Sequence, residues 1–313
     1  MTIDRRTLLA AAAAALPATA LRGQVTADRR PIWPGKPPSA TATMPRFRRE
    51  ERPLPGRSET WLTGIAAPTL ELFRPERPNG LGFVAIPGGG YEFLAYSNEG
   101  ADPARVFASM GYTVAVLAYR LPAEGWARQA DVPLQDAQRA MRLLRSQAQE
   151  LGLTRIGVLG ASAGGHLAAS LATGYDEPLY QPVDAADRLS ARPDFAGLLY
   201  PVATLELPQT HRGSREHLLG PSPSEAEVRR RSPTAHVTAR TPPSFIVHSF
   251  DDDVVPIQCT FDWIAAARAA GTVVEAHLPQ RGGHGYNVHL PPENPGSLWS
   301  QQFDRWIKQL LRG

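Results

Sequence analysis

One five-residue segment constrains the fold of this chain more than any other. Gly160 to Gly164 reads G-A-S-A-G, follows the apolar run 156–159 directly and precedes small residues typical of a helix. A serine flanked by glycines between a strand and a helix is typical of a tight, strained turn that exposes the serine hydroxyl. The backbone N–H of Ala163 would then face a bound carbonyl at the positive end of that helix. The segment predicts a nucleophile at Ser162; a plain glycine-rich turn is the alternative.

Hydrophobic patterning places this turn in a larger alternation of strands and helices. An alternation of apolar strands with helices predicts an α/β fold, with a mostly parallel central sheet and helices on both faces. Ligands of such sheets bind at the carboxyl ends of the strands. The stretch of about 204–243 has no clear periodicity, and we expect an irregular insertion there. Strands are predicted at 69–73, 82–86, 113–119, 156–159, 195–200, 245–248 and 273–278, and helices at 133–150, 258–270 and 298–311.

The candidate base is a histidine in a flexible loop. A nucleophilic serine needs a base, and the base needs an acid that orients it. His284 lies in a glycine-rich loop directly after the predicted strand 273–278. His248 lies within an apolar strand and is predicted to be a packed core residue, and His166 begins a helix and is expected to point away. We therefore predict that His284 is the base.

The candidate acid belongs to a run of three aspartates. Asp251, Asp252 and Asp253 follow the predicted strand 245–248, so any of them would lie at the same edge of the sheet as the serine. Composition alone does not choose among them, and a solvated acidic turn is the alternative. With Asp252, the chain order serine, aspartate, histidine is that of one known hydrolase architecture.

A second glycine-rich loop is the candidate oxyanion hole. Gly88, Gly89 and Gly90 follow the predicted strand 82–86, and glycines let the backbone approach a substrate closely. Backbone N–H groups of Gly89 or Gly90, together with that of Ala163, would bind a developing oxyanion. No Gly-Lys-Ser or Gly-Lys-Thr follows, which argues against a phosphate loop. No metal-ligand spacing is present, and we expect neither a metal nor another cofactor.

Taken together, these motifs resemble the α/β-hydrolase superfamily. Within it, the chain is similar to bacterial esterases grouped with acetylxylan esterases and sometimes labelled xylanases. The resemblance implies an α/β-hydrolase fold and a triad of Ser162, Asp252 and His284, because its D-x-x-V-P pattern places the acid four residues before Pro256. Pro87 stands where relatives often have histidine. The matching segments between residues 68 and 310 include I-P-G-G-G-Y (86–91), L-A-Y-R-L (117–121), R-I-G-V-L-G-A-S-A-G-G-H-L-A (155–168), D-D-D-V-V-P (251–256) and R-G-G-H-G (281–285).

The resemblance also implies an activity. The expected protein is a serine carboxylesterase that removes short acyl groups, acetyl above all, from plant polysaccharide or oligosaccharide through an acyl-enzyme. The alternatives are a lipase-like or feruloyl-type esterase, a peptidase and a non-catalytic carbohydrate-binding protein. Glycoside hydrolysis would need two carboxylates on either side of a sugar cleft, and no second carboxylate stands out.

The first residues predict export. Arg5-Arg6, an apolar stretch and Ala18-Thr19-Ala20 describe a twin-arginine-type export signal over residues 1–20, with a second candidate cleavage position at 25–27. An uncleaved anchor is the alternative. We expect a periplasmic or secreted protein with a Pro- and Arg-rich arm over 21–58 and a hydrolase domain over 59–313.

Composition limits the partners. The 33 basic and 30 acidic residues give a net charge of +3, too balanced for a protein whose main partner is nucleic acid or an anionic membrane. A single cysteine, Cys259, excludes a disulfide framework. The expected partner is an ester substrate, a small molecule or an oligosaccharide, and the sequence does not indicate an oligomeric state.

Overall fold

The computed structural model describes residues 28–54 and 56–312. The predicted export signal and both candidate cleavage positions lie outside these residues. In the described part, no helix is both long and apolar enough to cross a membrane. The strands there are β1 (Asp28–Pro31), β2 (Arg48–Leu54), β3 (Arg57–Thr63), β4 (Thr69–Phe73), β5 (Leu81–Ile86), β6 (Leu94–Ala95), β7 (Thr113–Ala118), β8 (Arg155–Ala161), β9 (Ala196–Leu199), β10 (Ser244–Val247) and β11 (Val274–His277). The α-helices are α1 (Asp102–Ser109), α2 (Val132–Ser146), α3 (Ala163–Gly174), α4 (Arg212–Leu219), α5 (Glu225–Arg230), α6 (Gln258–Ala269) and α7 (Trp299–Leu310).

An eight-stranded sheet forms the centre of the fold, in the order β1-β4-β7-β5-β8-β9-β10-β11. From β7 to β11, every neighbouring pair is parallel, whereas β4 is antiparallel to β7 and β1 is antiparallel to β4. Every residue of β5 and β7 is buried, as expected for parallel strands covered on both faces. The predicted mostly parallel sheet is therefore confirmed.

Helices cover both faces of this sheet. Successive strand residues point to opposite faces, so Leu159 and Gly160 of β8 face opposite sides of the sheet. A Cβ at Gly160 would lie 2.7 Å from the Cβ of Ala168 in α3. On the other face, Gly197 is paired with Leu159, and a Cβ there would lie 2.8 Å from the ring of Phe303 in α7. Thus α3 and α7 pack on opposite faces.

An aromatic cluster fills the space between the sheet and α1 and α7. The Phe303 ring lies in the middle, with its centroid 5.8 Å from the ring of Phe107 in α1 and 5.3 Å from that of Phe245 in β10. Aromatic rings of this size bury large apolar areas and dominate the packing energy of a core. The cluster consequently fixes the last helix against the centre of the sheet.

In its described residues, 28–54 and 56–58, the predicted Pro- and Arg-rich arm contributes strands to the domain. Its strand β1 pairs with β4 at the edge of the main sheet, and β2 pairs with β3 in a hairpin that extends to β6. Trp33 is buried, and its Nε1 donates a hydrogen bond of 2.7 Å to Asp136, which also forms a buried ion pair with Arg120. The sequence does not reveal β2 because the whole strand is exposed and its first five residues are charged, so no apolar alternation marks it.

The segment 204–243, predicted to be an irregular insertion, contains the two short helices α4 and α5. Each is short and buries a single apolar side chain, Leu218 in α4 and Val228 in α5, so neither has a periodicity that a sequence could reveal. A local signal was present for α5, because Ser224 and Glu227 form a reciprocal capping box.

Candidate active site

The turn between β8 and α3 is strained in the way that the G-A-S-A-G segment predicts. Ser162 has φ +55° and ψ −121°, an unfavourable conformation for a residue with a Cβ. The flanking positions must be glycine, because a Cβ at Gly160 would lie 2.1 Å from the carbonyl oxygen of Gly164, and one at Gly164 would lie 2.1 Å from that of Ile86. Ala163 is the first residue of α3, where a backbone N–H has no partner within the helix.

Hydrogen bonds link Ser162, His284 and Asp252. The Oγ of Ser162 lies 2.9 Å from Nε2 of His284, and Nδ1 of His284 lies 2.7 Å from Oδ2 of Asp252. Because a carboxylate only accepts, Nδ1 carries the proton and Nε2 is left to accept the hydroxyl hydrogen. The structure thus brings together the three side chains that the sequence singled out. This arrangement is suited to taking a proton from a serine hydroxyl and holding the resulting positive charge.

The carboxylate of Asp252 is completely buried and fully hydrogen-bonded. Its Oδ1 accepts the backbone N–H groups of Val254 and Val255 at 2.9 and 2.8 Å. Its Oδ2 accepts from His284 and also from Nε2 of His248 at 3.0 Å. Burial alone would raise the pKa of Asp252, but the hydrogen bonds from His248 and His284 outweigh it and hold that pKa well below its usual range. The group is therefore ionised at neutral pH.

His248 is the site residue that sequence reasoning missed. It is buried, as the predicted core residue would be, but its ring is also part of the site. Since Nε2 faces both Asp252 and the carbonyl oxygen of Val255, it carries the proton, and Nδ1 accepts from the hydroxyl of Thr260 at 2.8 Å. A histidine at the end of a strand, four residues before the acid, was the available signal.

The three adjacent aspartates have different surroundings. Asp252 is buried against His284, whereas Asp251 and Asp253 are exposed. Asp251 Oδ1 accepts the backbone N–H groups of Gly282 and Gly283 at 2.9 and 2.8 Å, and so ties down the loop that carries the histidine. In residues 28–54 and 56–312, no group of three or more His, Cys, Asp or Glu side chains is arranged to hold a metal ion.

The glycine loop after β5 lies beside the serine. A Cβ at Gly88 would lie 2.9 Å from the Cβ of Ser162, so only a glycine allows this approach. The N–H of Gly88 donates to Oε2 of Glu99 at 2.8 Å and is not available to a substrate. Gly89 and Gly90 have φ values of +114° and +64°, which a side chain would make unfavourable. Among the three loop glycines, Gly89 and Gly90 remain the candidate donors.

Part of the segment 204–243 lies against this loop. His217 donates from Nδ1 to the carbonyl oxygen of Gly90 at 2.9 Å. The Cε1 of His211 would lie 3.7 Å from a Cβ at Gly90. Burial, together with the neighbouring His284 and His217, lowers the pKa of His211. The segment therefore supports the glycine loop and borders the site.

His166 follows the serine turn but faces away from the serine hydroxyl, as expected from the sequence. Its Nε2 contacts the carbonyl oxygen of Arg231 at 2.8 Å, so Nε2 carries the proton, and Nδ1 accepts from the hydroxyl of Tyr91 at 2.7 Å. Burial lowers the pKa of His166 to about 4, although the hydrogen bond to Arg231 acts in the opposite direction.

Folding stability should therefore fall as the pH drops from about 6.5 towards 4. In this window the unfolded chain binds a proton at His166 and the folded protein does not, so acid favours unfolding by up to about 3 kcal/mol at the lower end. We expect His166→Gln, which retains a donor for Arg231, to lack this component. Urea unfolding of both proteins at pH 7, 5.5 and 4.5 measures the difference. Equal pH slopes would show that His166 takes up its proton normally in the folded state.

Two curated proteins are similar to this chain in sequence. The endo-1,4-β-xylanase B of Butyrivibrio fibrisolvens is 33% identical over 207 residues, which cover 66% of this chain and 32% of the relative. The acetylxylan esterase of Xylanibacter ruminicola is 28% identical over 250 residues, which cover 77% of this chain and 46% of the relative. The chain thus spans about a third of the length of the first of these curated relatives and just under half of the second.

A solved structure and a family model also match this chain. The crystal structure of an acetyl ester-xyloside bifunctional hydrolase from Caldicellulosiruptor lactoaceticus has 30% sequence identity and a TM-score of 0.74, and the match covers 90% of this chain and 96% of that one. The family model described as BD-FAE matches residues 81–263, more than half of the chain. The resemblance and the fold class predicted from the sequence are confirmed. The protein belongs to the BD-FAE family of α/β-hydrolases.

Proposed function

We propose that the protein is a serine carboxylic ester hydrolase that removes short acyl groups, acetyl first, from plant polysaccharide or oligosaccharide. The observation that carries this proposal is the hydrogen-bonded chain from Asp252 through His284 to Ser162, on a strained turn beside a glycine loop. A serine activated by a base in this way attacks the carbonyl carbon of an ester. The proposed catalytic residues are therefore Ser162, His284 and Asp252.

The proposed reaction has two halves. In the first, Ser162 Oγ forms a bond to the ester carbonyl carbon while its proton moves to Nε2 of His284, and Asp252 stabilises the imidazolium. Backbone N–H groups of Ala163 and of Gly89 or Gly90 hold the oxyanion. As the carbon–oxygen bond of the ester breaks, His284 gives its proton to the leaving alcohol, and the acyl group remains on Ser162.

In the second half, water replaces the alcohol. His284 takes a proton from the water as its oxygen attacks the acyl carbon, and the same N–H groups hold the second oxyanion. The bond to Ser162 then breaks and the proton returns to its oxygen, which releases the carboxylic acid. The free enzyme is regenerated, so the cycle uses water alone as co-reactant.

The substrate class rests on the relatives. Two of them are named for acetyl esters of xylan or xylosides, and a third is named as a xylanase. Their names support an acetylated plant polysaccharide, or its fragments, as the substrate of this chain. Export through the signal at residues 1–20, to the periplasm or beyond, is part of the proposal, because such fragments arise outside the cell.

Hydrolysis of a substrate panel tests the proposal. We expect the protein without residues 1–20 to release acetate from acetylated xylo-oligosaccharides and to hydrolyse p-nitrophenyl acetate faster than the butyrate and octanoate. Methyl ferulate distinguishes an aromatic acyl specificity. Preference for octanoate or ferulate, with no acetate released from xylo-oligosaccharides, would overturn the substrate class and leave the esterase. Failure to hydrolyse any of these esters would overturn the esterase itself.

A further inference from the structure

A second buried carboxylate lies close to the candidate active site. Glu99 belongs to a single π-helical turn, Ser97–Ala101, between β6 and α1. Such turns are rare and often occur at functional sites. Glu99 is only 6% exposed, and within residues 28–54 and 56–312 it forms no salt bridge with Lys or Arg. A buried carboxylate without such a partner is costly, so its other contacts need an explanation.

The first contact of Glu99 is with the glycine loop. Oε2 accepts the backbone N–H of Gly88 at 2.8 Å. A Cβ at Gly88 would lie 2.5 Å from this oxygen and 2.9 Å from the Cβ of Ser162. The carboxylate therefore holds the first glycine of the loop at the position where the loop approaches the serine. It leaves the N–H groups of the next two glycines for a substrate.

The second contact leads to the histidine. Oε1 of Glu99 accepts the hydroxyl of Tyr200 at 3.0 Å, and the same hydroxyl oxygen accepts the backbone N–H of Asn287 at 3.2 Å. The Tyr200 ring packs edge-on against the His284 ring, with centroids 4.8 Å apart. Through Tyr200, Glu99 thus supports both the ring of His284 and the chain three residues beyond it.

The neighbouring residue of the same turn holds the histidine loop at another point. Asn98 donates from Nδ2 to the carbonyl oxygen of Gly285 at 2.8 Å. Arg57 in β3 donates in turn to Oδ1 of Asn98 at 3.2 Å, which fixes the orientation of the amide. The π-helical turn therefore contacts the glycine loop directly. It contacts the loop that carries His284 at Gly285 directly and at Asn287 by way of Tyr200.

The electrostatics of Glu99 are dominated by its burial. Burial raises the pKa of Glu99 above its usual range, although His284, the N–H of Gly88 and the hydroxyl of Tyr200 act to lower it, and Glu59 in β3 adds to the increase. A role for Glu99 therefore rests on its hydrogen bonds to the glycine loop and to Tyr200.

We propose that Glu99 is a positioning residue for ester hydrolysis, which holds the glycine loop through Gly88 and the base through Tyr200. This inference rests on the proposed function. In it, two buried carboxyl groups serve the histidine: Asp252 binds its Nδ1 directly, and Glu99 acts through Tyr200.

The variant Glu99→Gln tests this role, because its single amide oxygen cannot accept both the N–H of Gly88 and the hydroxyl of Tyr200. We expect kcat for p-nitrophenyl acetate to fall about tenfold with KM changed less than about twofold. Glu124→Gln is the matched control: Glu124 is also a largely buried carboxylate that accepts a backbone N–H, from Gly64. It should leave both quantities unchanged.

An NMR spectrum of the histidine side chains gives a readout that does not need activity. The ring resonances of His284 should shift in Glu99→Gln, because the ring of Tyr200 packs against the ring of His284. Unchanged His284 resonances together with wild-type kcat would overturn the inference, whereas a wild type that hydrolyses no ester, with the shift present in the variant, would overturn only the proposed function. If Glu99→Gln does not fold, Tyr200→Phe breaks the same connection. Wild-type kcat in that variant would also overturn the inference.

Discussion

Replacing Ser162 with alanine should lower kcat for p-nitrophenyl acetate by a factor on the order of 10⁴ to 10⁶, with little change in KM. The change removes the atom that forms the acyl-enzyme and leaves the loops that bind the substrate. Alanine meets the same backbone strain at φ +55° as serine, so the turn should persist. Initial rates at saturating substrate, with thermal melting as a check on folding, measure the effect.

A second serine on the following helix provides the control for this variant. Ser170 in α3 is also buried, but it lies two helical turns beyond the strained turn. We expect Ser170→Ala to keep most of the wild-type kcat. If Ser162→Ala retained a tenth or more of the wild-type rate, the esterase reaction would use another nucleophile, and the role proposed for Ser162 would be wrong.

Replacing Asp252 with asparagine should lower kcat about 10⁴-fold. The carboxylate accepts the Nδ1–H of His284, whereas an asparagine can present its NH₂ group there and favour the other tautomer, in which Nε2 carries the proton and cannot act as a base. His248 reinforces the effect, since its own N–H also points at Oδ2 and competes for the single amide oxygen. The asparagine also removes the negative charge that stabilises the imidazolium.

The neighbouring aspartates are matched controls for the choice of acid. Asp253 is exposed, and we expect Asp253→Asn to be close to wild type in kcat. Asp251→Asn should have at most a small effect, because its amide oxygen can still accept the backbone N–H groups of Gly282 and Gly283 next to the histidine. Steady-state kinetics of the three variants rank them. A larger loss in Asp251→Asn or Asp253→Asn than in Asp252→Asn would contradict the assignment of the acid.

The central strands could be predicted because their signal is continuous. Segments 82–86 and 113–119 were predicted, and the structure has Leu81–Ile86 and Thr113–Ala118. Parallel strands buried on both faces need apolar side chains at nearly every position, which the sequence shows directly. The exposed strand β2 carries no such signal, because it is held by backbone pairing with β3 and most of its side chains are charged.

The candidate site divides in a similar way. The strained turn at Ser162 has a local sequence signal, since both of its glycines lie within two residues of the serine. The position of His284 follows from the rule that loops after parallel strands meet at one edge of the sheet. By contrast, the contacts of Glu99 with Gly88 and Tyr200 join three separate parts of the chain. No local sequence pattern indicates these contacts, because each depends on how the sheet and helices pack.

Covalent labelling with a fluorophosphonate tests the central claim most directly, since such reagents react with a serine that an adjacent base has activated. Intact-protein and peptide mass spectrometry after incubation should show one phosphonyl group per chain, attached to Ser162. The label should be absent in Ser162→Ala and should form much more slowly in Asp252→Asn. A label on a different residue, or an active enzyme that gains none at Ser162, would contradict the claim that His284 and Asp252 activate Ser162.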